Sequence, residues 1–339
     1  MAKRVLALLT ALMMVVLLLP SALADEDGSV YCISSASDFI SLSKKCAIDS
    51  WSSEKNIILT KDIDFSATEF SPLPYFAGNF DGGGHTIKGI KLHKPLSDFG
   101  IIRYISSGGS VSNLNVEISI TATGTKSGIG GIAGVNKGTV TGCTADVSIR
   151  GGRNIGGIVG INDSGGFINS CTSKGSVYGE HYVGGIAGKN IGSISLCNNE
   201  AKINTQVKEV KLDLSNLNFD KLISADNMKD VTDIGGITGY NYGVILKSEN
   251  NENVGFNHVG YNVGGIAGRQ CGYIEACTNN AYVRGRKDIG GIVGQVEPYT
   301  VVAYSKNSLS NTMDSLEKLQ TLVDSAISNA SVSKSSVYT

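Results

Sequence analysis

The string (Ile/Val)-Gly-Gly-Ile-(Ala/Val/Thr)-Gly begins at Ile129, Ile155, Val183, Ile234, Val263 and Ile289, with spacings of 26, 28, 51, 29 and 26 residues. A fixed period of this length marks a chain built from stacked supersecondary units, none of which can bury its apolar side alone. The agreement runs past the glycines. Seven residues after each start come Asn136, Asn162, Asn190, Asn241 and Gln270, and nine after come Gly138, Gly192, Gly243 and Gly272. Fourteen after come Cys143, Cys197, Ser248 and Cys277, while Cys171 comes at sixteen in a unit two residues longer. Phe99-Gly100-Ile101-Ile102 with Leu114 reads as a degenerate first unit. The 51-residue gap is close to two units, so it holds either a degenerate unit or an inserted loop at about 205–233.

Each unit reads as three short strands, in the first unit 129–134, 139–144 and 145–149. Corners are expected at Asn136-Lys137-Gly138, near Thr144-Ala145 and at Gly151-Gly152, because Asn and Gly enter left-handed turns at low cost. Stacking such units gives a right-handed parallel β-helix, an all-β solenoid, since parallel crossovers are almost always right-handed. A β-propeller blade needs about 40 residues and four strands, more than this period allows. Stacking turns the Asn position into a ladder of side-chain amides at about 4.8 Å spacing. It turns the Cys position into a column of small inward apolar groups, whose one-wall geometry does not suit a tetrahedral metal site.

The ends differ from the repeat. Lys3 and Arg4, an apolar run over 5–19, Pro20 and Ala22-Leu23-Ala24 form an export signal cleaved after Ala24. As a helix the apolar run rises only about 22 Å, too short for a bilayer core. Secretion or display at the cell surface follows as the expected location, and seven cysteines in the mature part fit a compartment that permits disulfides. Residues 25–75 are expected to form an N-terminal cap of strand, helix and strand, with Ser37 as helix N-cap. Cys32 precedes that helix and Cys46 ends it, which makes them a candidate disulfide pair. Residues 76–297 are the repeat domain. After Pro298, the stripe Leu309, Met313, Leu316, Leu319, Val323 and Ile327 predicts an amphipathic helix over 298–328, a fold-back cap or a coiled coil for self-association through 305–328. Residues 329–339 read as a disordered tail.

The six glycine strings resemble the GLUG motif family of exported bacterial proteins. The likeness extends upstream: Phe76-Ala77-Gly78-Asn79-Phe80-Asp81-Gly82-Gly83-Gly84-His85-Thr86-Ile87 is similar to the family's entry rung, and Lys61-Asp62-Ile63-Asp64 to the strand before it. The resemblance implies a β-helix at the cell surface. It includes the stalks of bacterial immunoglobulin A proteases, but this chain lacks the HExxH motif of such a protease, so only the stalk comparison carries over. In this setting the paired glycines Gly130, Gly131, Gly156, Gly157, Gly184, Gly185, Gly235, Gly236, Gly264, Gly265, Gly290 and Gly291 are structural.

Chemistry is harder to find. A net charge of -1 gives no reason to expect nucleic acid. The match Gly128-x-Gly130-x-x-Ala133 lacks the βαβ context of a dinucleotide site, and no phosphate-binding G-x-x-x-x-G-K-(S/T) occurs. His85, His93, His181 and His258 share no repeat position, and Asp81 near His85 reads as a turn carboxylate capping local amides. No cofactor, metal site or enzyme is expected. Tyr240 and Tyr242 flank the Asn column and Tyr273 lies near the same corner one turn on, so these three are the candidate ligand surface. The expected function is a non-catalytic secreted or surface protein, its β-helix a rigid adhesin-like or spacer module, with a glycan or a host or cell-surface protein as partner. The alternatives are a carbohydrate-binding module and a polysaccharide-active β-helix enzyme.

Overall fold

The computed structural model describes residues 30–93, 95–122, 125–206 and 231–298. The chain divides into two units, Met1–Glu297 and Pro298–Thr339. The expected leader, most of the 205–233 insertion, the 298–328 helix and the 329–339 tail lie outside the described residues.

The described chain is a β-solenoid whose walls are parallel sheets of nine, six, eight and eight strands. One coil shows the pattern. Ser127–Ile129 lies in the six-stranded wall and Ala133–Asn136 in the first eight-stranded wall. Thr139–Thr141 then joins the nine-stranded wall and Thr144–Arg150 the second eight-stranded wall. Repeat positions stack in register: Ile129 pairs with Ile155, then Val183, Ile234, Val263 and Ile289. The motif isoleucines Ile132, Ile158, Ile186, Ile237 and Ile266 are fully buried, as is the column Val140, Ile168, Ile194 and Ile245. Each such side chain contributes on the order of 2 kcal/mol by leaving water.

The coil has four strands, not three, because the expected strand 129–134 is broken at the glycine pair. A Cβ on the first glycine would meet its own coil and the next: Gly130 faces the Ala133 carbonyl and Val159 Cα, Gly156 the Val159 carbonyl and Ala187 Cα, and Gly184 the Ala187 carbonyl and Thr238 Cα. A Cβ on the second would meet the next coil: Gly131 faces the Gly157 carbonyl at 2.6 Å, and Gly157, Gly185, Gly236 and Gly265 repeat the relation with Gly185, Gly236, Gly265 and Gly291. The first glycine is therefore closed in by its own corner and by the coil that follows, and the second chiefly by the carbonyl of the coil that follows. Backbone bonds run through the same place, Gly131 N–H to Gly157 O at 3.0 Å and Gly157 N–H to Gly185 O at 2.9 Å.

Left-handed residues also fall elsewhere than expected. None of Asn136, Lys137 and Gly138 has positive φ. One left-handed column immediately precedes the motif (Gly128, Asn154, Tyr182, Asp233, Asn262, Asp288), and another precedes the Cys column (Asn113, Gly142, Ser170, Leu196, Lys247, Ala276). The corner expected near Thr144-Ala145 thus sits at Gly142-Cys143, since a strand already begins at Thr144.

The chain still passes from one wall to the next at Lys137-Gly138, and the Asn position beside that corner builds the ladder. Asn136 Nδ2 donates to Asn162 Oδ1 at 2.8 Å, Asn162 to Asn190 at 2.8 Å, Asn190 to Asn241 at 2.7 Å and Asn241 to Gln270 Oε1 at 2.9 Å. A second buried amide ladder, not anticipated from the repeat, links Asn199, Asn250 and Asn279 at 2.7 Å per step. The 51-residue gap is one coil with an insertion, because Val183 pairs directly with Ile234.

Cys143, Cys171 and Cys197 are buried and free, with Ser248 above them in the same column. Contacts with its neighbours Cys143 and Cys197, together with burial, hold the Cys171 thiol well above its ordinary pKa. Because all three are buried, native alkylation is expected to label exposed Cys32 quickly and these three only in denaturant. Peptide mapping after a timed maleimide pulse checks this, and fast native labelling of the three would place the column on the outer face.

At the N-terminal end, parallel pairing starts at Val30: Val30–Ile33 and Asn56–Leu59 are the first two strands of the nine-stranded wall. The helix spans Ala36–Lys45 and its N-cap is Ser35, not Ser37. Ser35 Oγ accepts the Asp38 N–H at 3.2 Å while the Asp38 carboxylate accepts from Ser34, a reciprocal cap that starts the helix two residues early. Phe39 is buried against Phe65 and Phe70. Cys32 and Cys46 are not joined: Cys32 faces solvent, whereas Cys46 is buried and its thiol is pushed up to about 12.

Candidate functional site

The first eight-stranded wall carries one outward column that reads, in register, Tyr75, Tyr104, Val135, Ile161, Lys189, Tyr240, Arg269 and Gln295. Charged residues collect toward its C-terminal end, where Tyr182 of the neighbouring wall's left-handed column meets it. Tyr182, at φ 54°, is the bulky member of that left-handed column. Its ring stacks on Tyr240 with centroids 5.6 Å apart. The Arg153 guanidinium covers Tyr182 at 4.9 Å, and Lys189 and Arg269 each lie 5.8 Å from the Tyr240 centroid. Tyr242 meets the edge of Tyr240 at 6.3 Å.

Asp233 anchors the cluster. Its side chain is 2 % exposed, and it accepts from Arg269 Nε at 2.8 Å, Asn262 Nδ2 at 2.7 Å and Thr232 Oγ1 at 2.7 Å. Arg269 also pairs with Glu297 at 3.2 Å. Burial works against the Arg269 charge, but Asp233 and then Glu297 raise its pKa above the usual value. Burial and then Glu297 push the Tyr240 phenol up. The ring faces are thus largely occupied by one another and by cations, worth about 0.5–2 kcal/mol per contact. What the cluster offers outward is ring edges, hydroxyls and cationic side chains.

Of the three tyrosines expected to form one surface, ring contact joins Tyr240 and Tyr242. Tyr240 and Tyr242 belong to this cluster. Tyr273, 54 % exposed, stands on the nine-stranded wall beside Val244 and donates its hydroxyl to Glu275 at 3.0 Å. Tyr182, Arg153 and Asp233 escaped the sequence reading because they sit just before the motif rather than in it. The signal was available: that position otherwise holds Gly, Asn and Asp, the residues that tolerate the left-handed region.

The titratable groups elsewhere do not converge. Asp81 Oδ1 accepts the Gly83 N–H at 3.0 Å, the local cap expected of it. His85 instead faces Asp62 at 3.4 Å, and the Thr86 amide, with His85 adding, holds the Asp62 carboxyl below its usual range. His181 bonds Thr232 at 3.0 Å. Among the described residues no group of three or more His, Cys, Asp or Glu is placed to share a metal ion, and no helix is long and apolar enough to cross a membrane.

No family model matches the chain. Over 98 residues it is 32 % identical to halomucin of Haloquadratum walsbyi, a match that covers 29 % of this chain and 1 % of that protein. Among solved structures, the chain is similar to a candidate immunoglobulin A1 protease from Bacteroides ovatus, with a TM-score of 0.49 and 19 % identity over 79 % of this chain and 84 % of that one.

Proposed function

We propose that the chain is a non-catalytic, exported protein of the GLUG type whose solenoid is a stiff module at the cell surface or outside the cell, adhesin-like or a spacer. The observation that carries the reading is the parallel stacking of coils from Val30 to Val296, with one register shift between Ile87 and Ile90, and the Asn136-to-Gln270 ladder inside the later coils. Each coil touches only its neighbours, so stiffness is built coil by coil and the side walls stay free to carry different residues. Nine strands in one wall stack to roughly 40 Å at the usual interstrand spacing. The helix with Phe39 serves as the plug of the first coil.

Expressed with its own leader in a bacterial host, the protein is expected in the exported fraction with Asp25 as first residue, measured by intact mass. Retention of Met1 on exported material would overturn the export reading. Reducing-end assays on pectins and glycosaminoglycans are expected to show no turnover, and release of oligosaccharide by the purified chain would replace this reading with the enzyme.

A further inference from the structure

A surface cavity of about 540 Å³ lies near the N-terminal end of the solenoid, remote in sequence from the tyrosine–arginine cluster. Asp49 and Glu54 reach it from the turns after the helix, Tyr75 from the strand Leu73–Phe76 and Asn79 from the strand Asn79–Asp81. Ser106 and Ser53 add hydroxyls.

The groups are held in place. Tyr75 donates its hydroxyl to Ser106 Oγ at 2.7 Å, which fixes the half-buried ring. Asn79 donates to Asn56 Oδ1 at 3.1 Å and accepts from Ser110 Oγ at 2.8 Å. Glu54 sits at φ 63° in the turns that follow the helix.

The lining selects its ligand by charge and shape. It contains two carboxylates and no Lys, Arg or His, so an anionic ligand is repelled. The carboxylates are not joined by further acidic, His or Cys side chains into a metal-binding group. Carboxylates, hydroxyls and an amide beside an aromatic ring suit a molecule with an apolar face and several hydroxyls, and disfavour an anion. Carboxylates accept hydroxyl protons in strong, charge-assisted bonds, and a phenol ring takes the C–H face of a pyranose. We infer that this cavity binds a neutral hexopyranose unit of a glycan, with Tyr75 as platform and Asp49 and Glu54 as hydroxyl acceptors. The assignment stands apart from the question of surface display.

The test applies the full mature chain to an array of neutral hexose- and N-acetylhexosamine-terminated oligosaccharides printed beside uronate and sulfated ones, then titrates the strongest neutral binder by calorimetry. Binding is expected for neutral glycans only. Asp49→Ala, at an exposed turn, is expected to weaken it at least fivefold with an unchanged melt, and Tyr75→Ala at least tenfold. Absence of neutral-glycan binding, preference for the polyanions, or Asp49→Ala binding as tightly as wild type overturns the proposal. So does loss of binding in Tyr242→Ala with Asp49→Ala unaffected. A failure here leaves the export and turnover tests of the preceding section untouched.

Discussion

Gly157→Val is expected to destabilise the solenoid by about 3 kcal/mol or more, and by more than Gly291→Val, whose Cβ meets no described residue. The cause is stacking, not backbone conformation. Neither residue has positive φ. A Cβ at Gly157 would collide with Ser173 Oγ and the Gly185 carbonyl, and lie 2.8 Å from Ser173 Cβ. The carbonyl belongs to the next coil and is tied by the bond that Gly157 N–H makes to it at 2.9 Å, so it cannot withdraw without breaking the register. A Cβ at Gly291 meets nothing within 4 Å, because no described coil follows it. Thermal melts of the two variants beside wild type decide the matter. Equal effects would mean that the contact with the following coil is not what excludes a side chain from the second glycine.

Asn190→Asp is expected to make stability depend on pH in a way the parent does not. Asn190 is fully buried, accepts from Asn162 at 2.8 Å and donates to Asn241 at 2.7 Å. An ionised Asp can accept but not donate, and it sets two oxygens against each other in the dry interior. The cost is on the order of 3 kcal/mol. A protonated Asp can donate to Asn241 and nearly replaces the amide. The folded pKa is therefore raised above the unfolded value of about 3.9. Below that value both states are protonated and the variant is expected to melt close to wild type. As pH rises from about 4 toward the folded pKa the deficit grows by about 1.4 kcal/mol per unit, then levels off. Asn190→Leu should lose stability at every pH. A melting-point difference between Asn190→Asp and wild type that stays flat from pH 3.5 to 7 would show that Asn190 is not bonded at both ends.

The fold was legible where one residue type recurs at one offset. Asn136 through Gln270 and Cys143 through Cys197 could be counted along the chain, and the register follows from them. What escaped depends on contacts between coils. Nothing in a string of two glycines says that one answers to Ala133 and the other to Gly157. The three-strand reading failed there, since glycine inside an apolar run looks like a strand as much as a corner. The Asn199, Asn250 and Asn279 ladder hid because its lower members are Ala145 and Ser173, so the column changes character midway. The outward cluster was half visible. Tyr240 and Tyr242 stand beside a counted position, whereas Tyr182 reaches Tyr240 across 58 residues and an insertion. The cavity beside Tyr75 is made by turns, and turns carry no period.

The amide ladders have one further consequence, an electrical one. In every step from Asn136 to Gln270 the amino group points toward the following coil and the oxygen toward the preceding one, and the Asn199, Asn250 and Asn279 column runs the same way. The side-chain dipoles add head to tail rather than cancel, with the positive end toward the later coils. Each bond polarises the next, so a central link such as Asn190 is stronger than a terminal one such as Gln270. A β-sheet backbone has little net dipole of its own. Here a file of neutral side chains gives the solenoid the polarity that a helix draws from its main chain.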